Sequence, residues 1–150
     1  MTINCNGKLI DLTSPKVMGI LNITPNSFFD GGKYADENSI LQQVEKMLID
    51  GATFIDVGAY SSKPNAEFVS EDEEISRLIP VIELILKNFP ETLISVDTFR
   101  SAVAKKAIEN GACIINDISA GNLDENIIET VAKLQVPYIM MHMKGNPQTM

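Results

Sequence analysis

Five short apolar runs, each closing on a polar side chain, alternate with segments of helical period, and this alternation limits the fold more than any other feature. The runs are about Lys16–Ile23, Thr53–Gly58, Leu93–Asp97, Cys113–Ile118 and Tyr138–His142. Continuous apolar strands of this kind belong to parallel sheets covered on both faces. The first intervening segment carries Ile40, Leu41, Val44, Met47 and Leu48 at helical spacing, with Asp36 placed to cap it and Gly51 to stop it. The second opens on Ser70-Glu71-Asp72-Glu73, a capping-box pattern, and continues through Ile75, Leu78, Ile79, Ile82, Ile85 and Leu86. Pro80 lies inside it and predicts a break or kink. A third helix is predicted from Ser101 to Gly111 and a fourth from about Asp124 to Leu134.

A β-α alternation of this length fits two architectures. A doubly wound sheet would normally show a glycine-rich turn after its first strand, and no G-x-G-x-x-G is present. A (β/α)8 barrel places polar strand ends together on one face, but its full length is about 250 residues. The expectation is therefore an α/β chain forming one domain over residues 1–150. It is an incomplete (β/α)8 barrel of about five strands and four helices, preceded by a short hairpin around Asn6-Gly7. Such a span leaves two sheet edges, so residues 1–150 alone are expected to be inactive and prone to associate.

The strand ends supply the chemistry: Asn22, Asp56, Asp97, Asn116 with Asp117, and His142. Asx residues also cap turns, but five strands share the feature. Asp97 ends a mostly apolar strand and suits a ligand with paired N–H donors; Asn116 offers an acceptor and a donor together. The pair points to a planar nitrogen heterocycle or a sugar. Asn22 is a weak Mg2+ ligand, and Asp30 could add a charge beside it. Lys63 and Arg100 read either as solvated charges or as a phosphate clamp. His142 reads as structural, and no cysteine or histidine stands at metal-ligand spacing from it.

A net charge of −8 argues against a nucleic-acid partner while leaving room for a small anion. Cys5 and Cys113 form no C-x-x-C and read as buried reduced thiols in a cytosolic protein. The first residues form no signal peptide, and no apolar run approaches the roughly 18 residues of a membrane helix.

Met18-Gly-Ile-Leu-Asn-Ile-Thr-Pro-Asn-Ser-Phe-Phe-Asp-Gly-Gly closely resembles the first signature of the dihydropteroate synthases. These enzymes of folate biosynthesis join a pterin pyrophosphate to 4-aminobenzoate. Asp56-Val-Gly-Ala-Tyr-Ser-Ser-Lys-Pro resembles the second signature, and Ser95-Val-Asp-Thr-Phe-Arg, Ile115-Asn-Asp-Ile-Ser-Ala-Gly and Met141-His-Met resemble three later ones. Asn26, Phe29, Ala59-Tyr60, Ser62 and Lys63 depart from the pattern. The resemblance implies that Asn22 binds Mg2+ and pyrophosphate, and that Asp97, Asn116, Ile118 and Met141 hold the pterin. It implies that Phe28, Ser62 and Pro64 shape the 4-aminobenzoate pocket where sulfonamides also bind. Lys63 would approach the phosphates, and Asp56 would support the pterin end. A cytoplasmic transferase, homodimeric at full length, with no nucleic-acid or membrane partner, is the implied whole. Two rivals stay open: a methyltetrahydrofolate-type pterin-binding methyltransferase, and a non-catalytic pterin-binding fragment.

Overall fold

The computed structural model describes residues 1–23, 33–60, 68–147 and 149. The chain opens with β1 (Thr2–Cys5) and β2 (Lys8–Asp11), an antiparallel hairpin in which Cys5 faces Lys8 across Asn6-Gly7. There follow β3 (Met18–Asn22), α1 (Lys33–Ile49), β4 (Phe54–Gly58), α2 (Glu71–Asn88), β5 (Leu93–Asp97), α3 (Ser101–Glu109), β6 (Ile114–Asp117), α4 (Ile127–Leu134) and β7 (Tyr138–Met140). The strands β3 to β7 pair in chain order, all parallel. Chain-order pairing with a helix between successive strands is the winding of a barrel, since a doubly wound sheet reverses its order.

Register decides what the sheet does. Leu21, Val57, Val96 and Ile115 lie level on adjacent strands, all at most 1% exposed, and pack on the helices through Val44, Leu78, Ile82, Val103 and Ile127. Each such burial contributes about 1.5–3 kcal/mol. Because strand side chains alternate, the same register sends Asn22, Gly58, Asp97 and Asn116 to the opposite face. The hairpin closes the other end. Cys5 and Ile10 pack with Phe54, Cys113 and Ile114, and Asn6 Nδ2 donates to the Gly111 carbonyl at 3.1 Å. Both cysteines are free and buried, as their lack of a redox motif suggests.

Two helix stops are built alike. Gly51 and Gly111 both adopt φ +109°, and the following alanine amides donate back to Met47 O (2.9 Å) and Ala107 O (3.1 Å). This closes each helix in the left-handed conformation that glycine takes at little cost. The repeated Gly-Ala thus marks a repeated helix-to-strand turn.

Three expectations need correction. The first helix starts at Lys33, so Asp36 lies in its first turn instead of capping it; a carboxylate there still favours the positive helix end. The second helix runs unbroken through Pro80. Proline in a helix interior costs about 3 kcal/mol. The burial of Leu78, Val81, Ile82 and Ile85 around it outweighs that cost. The fourth helix starts at Ile127, because Asp124 is used elsewhere: its carboxylate accepts from the Ser101 amide at 2.7 Å, capping α3 from outside.

Ile20 (63% exposed) and Ile139 (40%) lie on the outermost strands β3 and β7, each of which pairs with a neighbour on one side only.

Candidate active site

The C-terminal ends of the strands gather polar side chains in two levels. In the outer level Asn22, Gly58, Asp97 and Asn116 stand side by side on β3 to β6. One step deeper, Asp56 and Ser95 form a second pair. Asn116 Nδ2 reaches down and donates to Asp56 Oδ2 at 3.0 Å, joining the levels. Gly58 keeps the floor open. A Cβ placed there would meet Asp97 Oδ2 at 3.4 Å and Asn22 Oδ1 at 3.7 Å, so both side chains lean over the same glycine.

Burial makes this an electrostatically costly place for acids. The Asp97 carboxyl is pushed up to about 7, foremost by burial and then by the Asp56 charge; Tyr60 opposes this, while Glu74 and Asp117 add to it. Asp56 is also raised by burial, against the pull of Ser95 and Asn116. The Ser95 hydroxyl lies near enough to exert that pull, yet Asp56 Oδ1 and Ser95 Oγ each stay buried without a hydrogen bond of good geometry among the described residues. Buried acceptors with spare capacity favour a ligand that brings N–H donors, because an unpaired buried polar atom costs about 1–3 kcal/mol. A planar heterocycle with a donor edge meets that need better than an anion would.

The structure therefore brings four expected residues together: Asn22, Asp56, Asp97 and Asn116. Ile118 (9% exposed) and Met141 (40% exposed) follow directly after β6 and β7. Phe28, Ser62, Lys63 and Pro64 lie outside the described residues, as does Asp30. His142 is exposed beyond the end of β7, apart from the hydrogen-bonded cluster.

Arg100 is neither a solvated charge nor a free phosphate clamp. Its Nη1 donates to Glu74 Oε1 at 2.8 Å and its Nη2 to the Val69 carbonyl at 2.8 Å. The guanidinium also lies 4.9 Å from the Phe99 ring centroid. Asp117 differs from its neighbour Asn116 in the same way. It is fully buried and accepts from Ser119 N and Oγ, both at 2.8 Å, from Gly121 N at 2.9 Å, and from the Tyr138 hydroxyl. It shapes the loop after β6 and does not join the polar floor.

Two neighbours of the site escape sequence reasoning. Tyr60 donates its hydroxyl to Asp97 Oδ1 at 2.9 Å. In the sequence it stands out only as part of Ala59-Tyr60, a departure from the resembled signature two residues past a strand end, with nothing to link it to Asp97. Glu74 is completely buried beneath Arg100. Its signal was available, because it stands four residues before Leu78, in line with the apolar stripe of α2.

Among the described residues no group of three His, Cys, Asp or Glu side chains could hold a metal ion. Among the described residues Asn22 suits the other mode, in which Mg2+ keeps most of its waters and binds one protein oxygen together with substrate phosphates. Its exposed side chain at the end of β3 fits that role.

A sequence family described as pterin binding enzyme matches residues 18–150. The dihydropteroate synthase of Haemophilus influenzae is 46% identical over 150 residues, which are the whole of this chain and 54% of that protein. A mitochondrial folate synthesis bifunctional protein of Arabidopsis thaliana is 52% identical over 136 residues, 89% of this chain and 24% of its own length. A Xanthomonas albilineans dihydropteroate synthase, solved with 4-aminobenzoic acid, superposes with a TM-score of 0.85 at 36% identity. The match covers 97% of this chain and 53% of that one. The chain spans about half the length of the single-activity relatives, and less of the bifunctional one.

Proposed function

The chain belongs to the pterin binding enzyme family, and from that premise we propose that it forms the pterin half of a dihydropteroate synthase. The reaction joins 6-hydroxymethyl-7,8-dihydropterin pyrophosphate to 4-aminobenzoate, giving 7,8-dihydropteroate and pyrophosphate. One observation carries the reading: a half-buried carboxylate, Asp97, level with Asn116 and above the buried, under-bonded Asp56, at the C-terminal end of a parallel sheet.

Asp97 accepts the paired N–H donors of the pterin's aminopyrimidinone edge, and Asn116 and Asp56 read the adjoining atoms. Ile118 and Met141 pack along the ring from the ends of β6 and β7. Lining one side of the heterocycle with apolar groups strengthens the polar contacts on the other by excluding water. Asn22, across Gly58 from Asp97, sits where the pterin's methylene pyrophosphate would leave the ring. There it would hold a Mg2+ ion, which when bound supplies positive charge against the departing pyrophosphate. The protein's task is positioning: carbon and amine must meet in line, with water kept out, and no side chain need serve as a nucleophile. Phe28, Ser62, Lys63 and Pro64 are assigned to 4-aminobenzoate and phosphates on the resemblance alone. A homodimer and a cytoplasmic location belong to the same proposal. Among the described residues no helix is long and apolar enough to cross a membrane.

Calorimetric titration with the pterin pyrophosphate tests the site through Gly58→Ala. The new methyl would touch Asp97 and Asn22 at ordinary contact distances, so the fold should tolerate it. It would fill space that the ligand needs. Affinity is expected to fall by about tenfold, the scale of intrusion into a packed site. Unchanged affinity would move the ligand away from this floor.

A further inference from the structure

We propose that Tyr60 is a specificity-determining latch, whose hydroxyl occupies Asp97 until a ligand with a competing donor edge displaces it. The inference rests on the reading of the site as a pterin site and goes beyond it, because it names what guards the carboxylate.

The geometry is specific to this contact. The Tyr60 hydroxyl donates to Asp97 Oδ1 at 2.9 Å, taking one of the two oxygens that a bidentate ligand needs. Its ring stands edge-on to Phe99, with centroids 5.4 Å apart at 82°. Phe99 lies beneath Arg100, which is itself tied to Glu74 and to the Val69 carbonyl. The tyrosine is therefore braced through a chain of contacts to a buried ion pair. Burial, then the Asp97 charge, hold its hydroxyl far above the usual phenol range, so it remains a donor at neutral pH.

A half-buried carboxylate among other acids gains from a partner in the empty protein, and Tyr60 provides one. The same contact is a cost to the ligand, whose donors must replace it. A ligand with two aligned N–H groups replaces one hydrogen bond by two; a ligand without donors gains nothing by moving the tyrosine. The latch thus discriminates by donor count more than by size.

Tyr60→Phe keeps the ring on Phe99 and removes only the hydroxyl. Titrations, on a protein carrying this chain at the full length of its relatives, would use the pterin pyrophosphate, an analogue of it lacking the exocyclic amine, and inorganic pyrophosphate. For the variant, the pterin is expected to bind about tenfold more tightly, the effect of removing one competing bond to a charged group. The analogue should gain less, and inorganic pyrophosphate should not change. Unchanged or weaker pterin binding by the variant would overturn the latch and make Tyr60 a support of Asp97 instead. An equal shift for all three ligands would show a general packing effect and overturn it too. If neither protein binds the pterin, the reading of the site fails, and the latch fails with it. Binding by the wild type without the expected gain refutes only the latch.

Discussion

Replacing Asp97 by Asn is expected to stabilise the ligand-free protein above neutral pH while lowering its affinity for a pterin by about a hundredfold. Both effects follow from one carboxylate. In the unfolded chain its reference value is 3.8, and in the fold burial and the charge of Asp56 push it up to about 7. Below pH 4 the group is protonated in both states and burial costs little. As pH rises through the window from 4 to 7 the unfolded chain ionises freely and the folded one resists, so stability falls. Above pH 7 the full cost stands, on the order of 4 kcal/mol at 1.36 kcal/mol per pH unit. The amide of Asp97→Asn would carry no charge, could still accept from Tyr60, and should flatten the fall. Chemical denaturation at pH 5 and pH 8 measures it. The neighbouring acids Asp56 and Glu74 are also raised by burial, so a residual slope of the same sign is expected. The affinity loss arises because an amide nitrogen would face the ligand's own donors, leaving a buried pair unsatisfied. A variant that is less stable at pH 8 would mean that Asp97 is held by partners stronger than Tyr60.

The second large effect is expected at Arg100. Removing its side chain strands Glu74, which has no solvent exposure and already carries one unpaired oxygen. Breaking a buried ion pair from one side costs about 3–5 kcal/mol, chiefly the penalty of the charge left behind. Arg100→Met should therefore lower the denaturation midpoint strongly. The double change Arg100→Met with Glu74→Leu should recover most of the loss, since the orphaned charge is gone. A phosphate clamp would behave differently: stability would hold, and only affinity for pyrophosphate would fall. Equal destabilisation in the single and double variants would show that the arginine acts through Val69 and Phe99 more than through Glu74.

What can be read from the chain itself depends on periodicity. Strand positions and their polar ends follow from local pattern, because a buried parallel strand must be apolar until it leaves the core. Asn22, Asp56, Asp97 and Asn116 are legible for that reason. The helix boundaries around Asp36 and Asp124 are not. A cap can be supplied by the helix itself or, as Asp124 does for Ser101, by a residue 23 positions away. Pro80 suggests a break because its propensity cost is local, while the packing that outweighs it is tertiary. Arg100 carries the same ambiguity: its neighbours in sequence do not reveal that Glu74 lies beneath it. Asn116 and Asp117 are adjacent in sequence, yet alternation puts one on the site and the other behind it. That distinction needs only the strand register, and is within reach. Tyr60 is beyond it, since its contact with Asp97 spans 37 positions and no pattern announces it.

Whether these strand ends bind a pterin for condensation with 4-aminobenzoate can be decided by mass-spectrometric detection of 7,8-dihydropteroate. The product would be sought from a protein carrying this chain at the full length of its relatives. Pterin pyrophosphate, 4-aminobenzoate and Mg2+ would be supplied, with Asp97→Ala run in parallel. The expected result is product and an equal yield of pyrophosphate only when both substrates are present, with little or none from the variant. Pyrophosphate release without the joined product, or undiminished product from Asp97→Ala, would contradict the assignment.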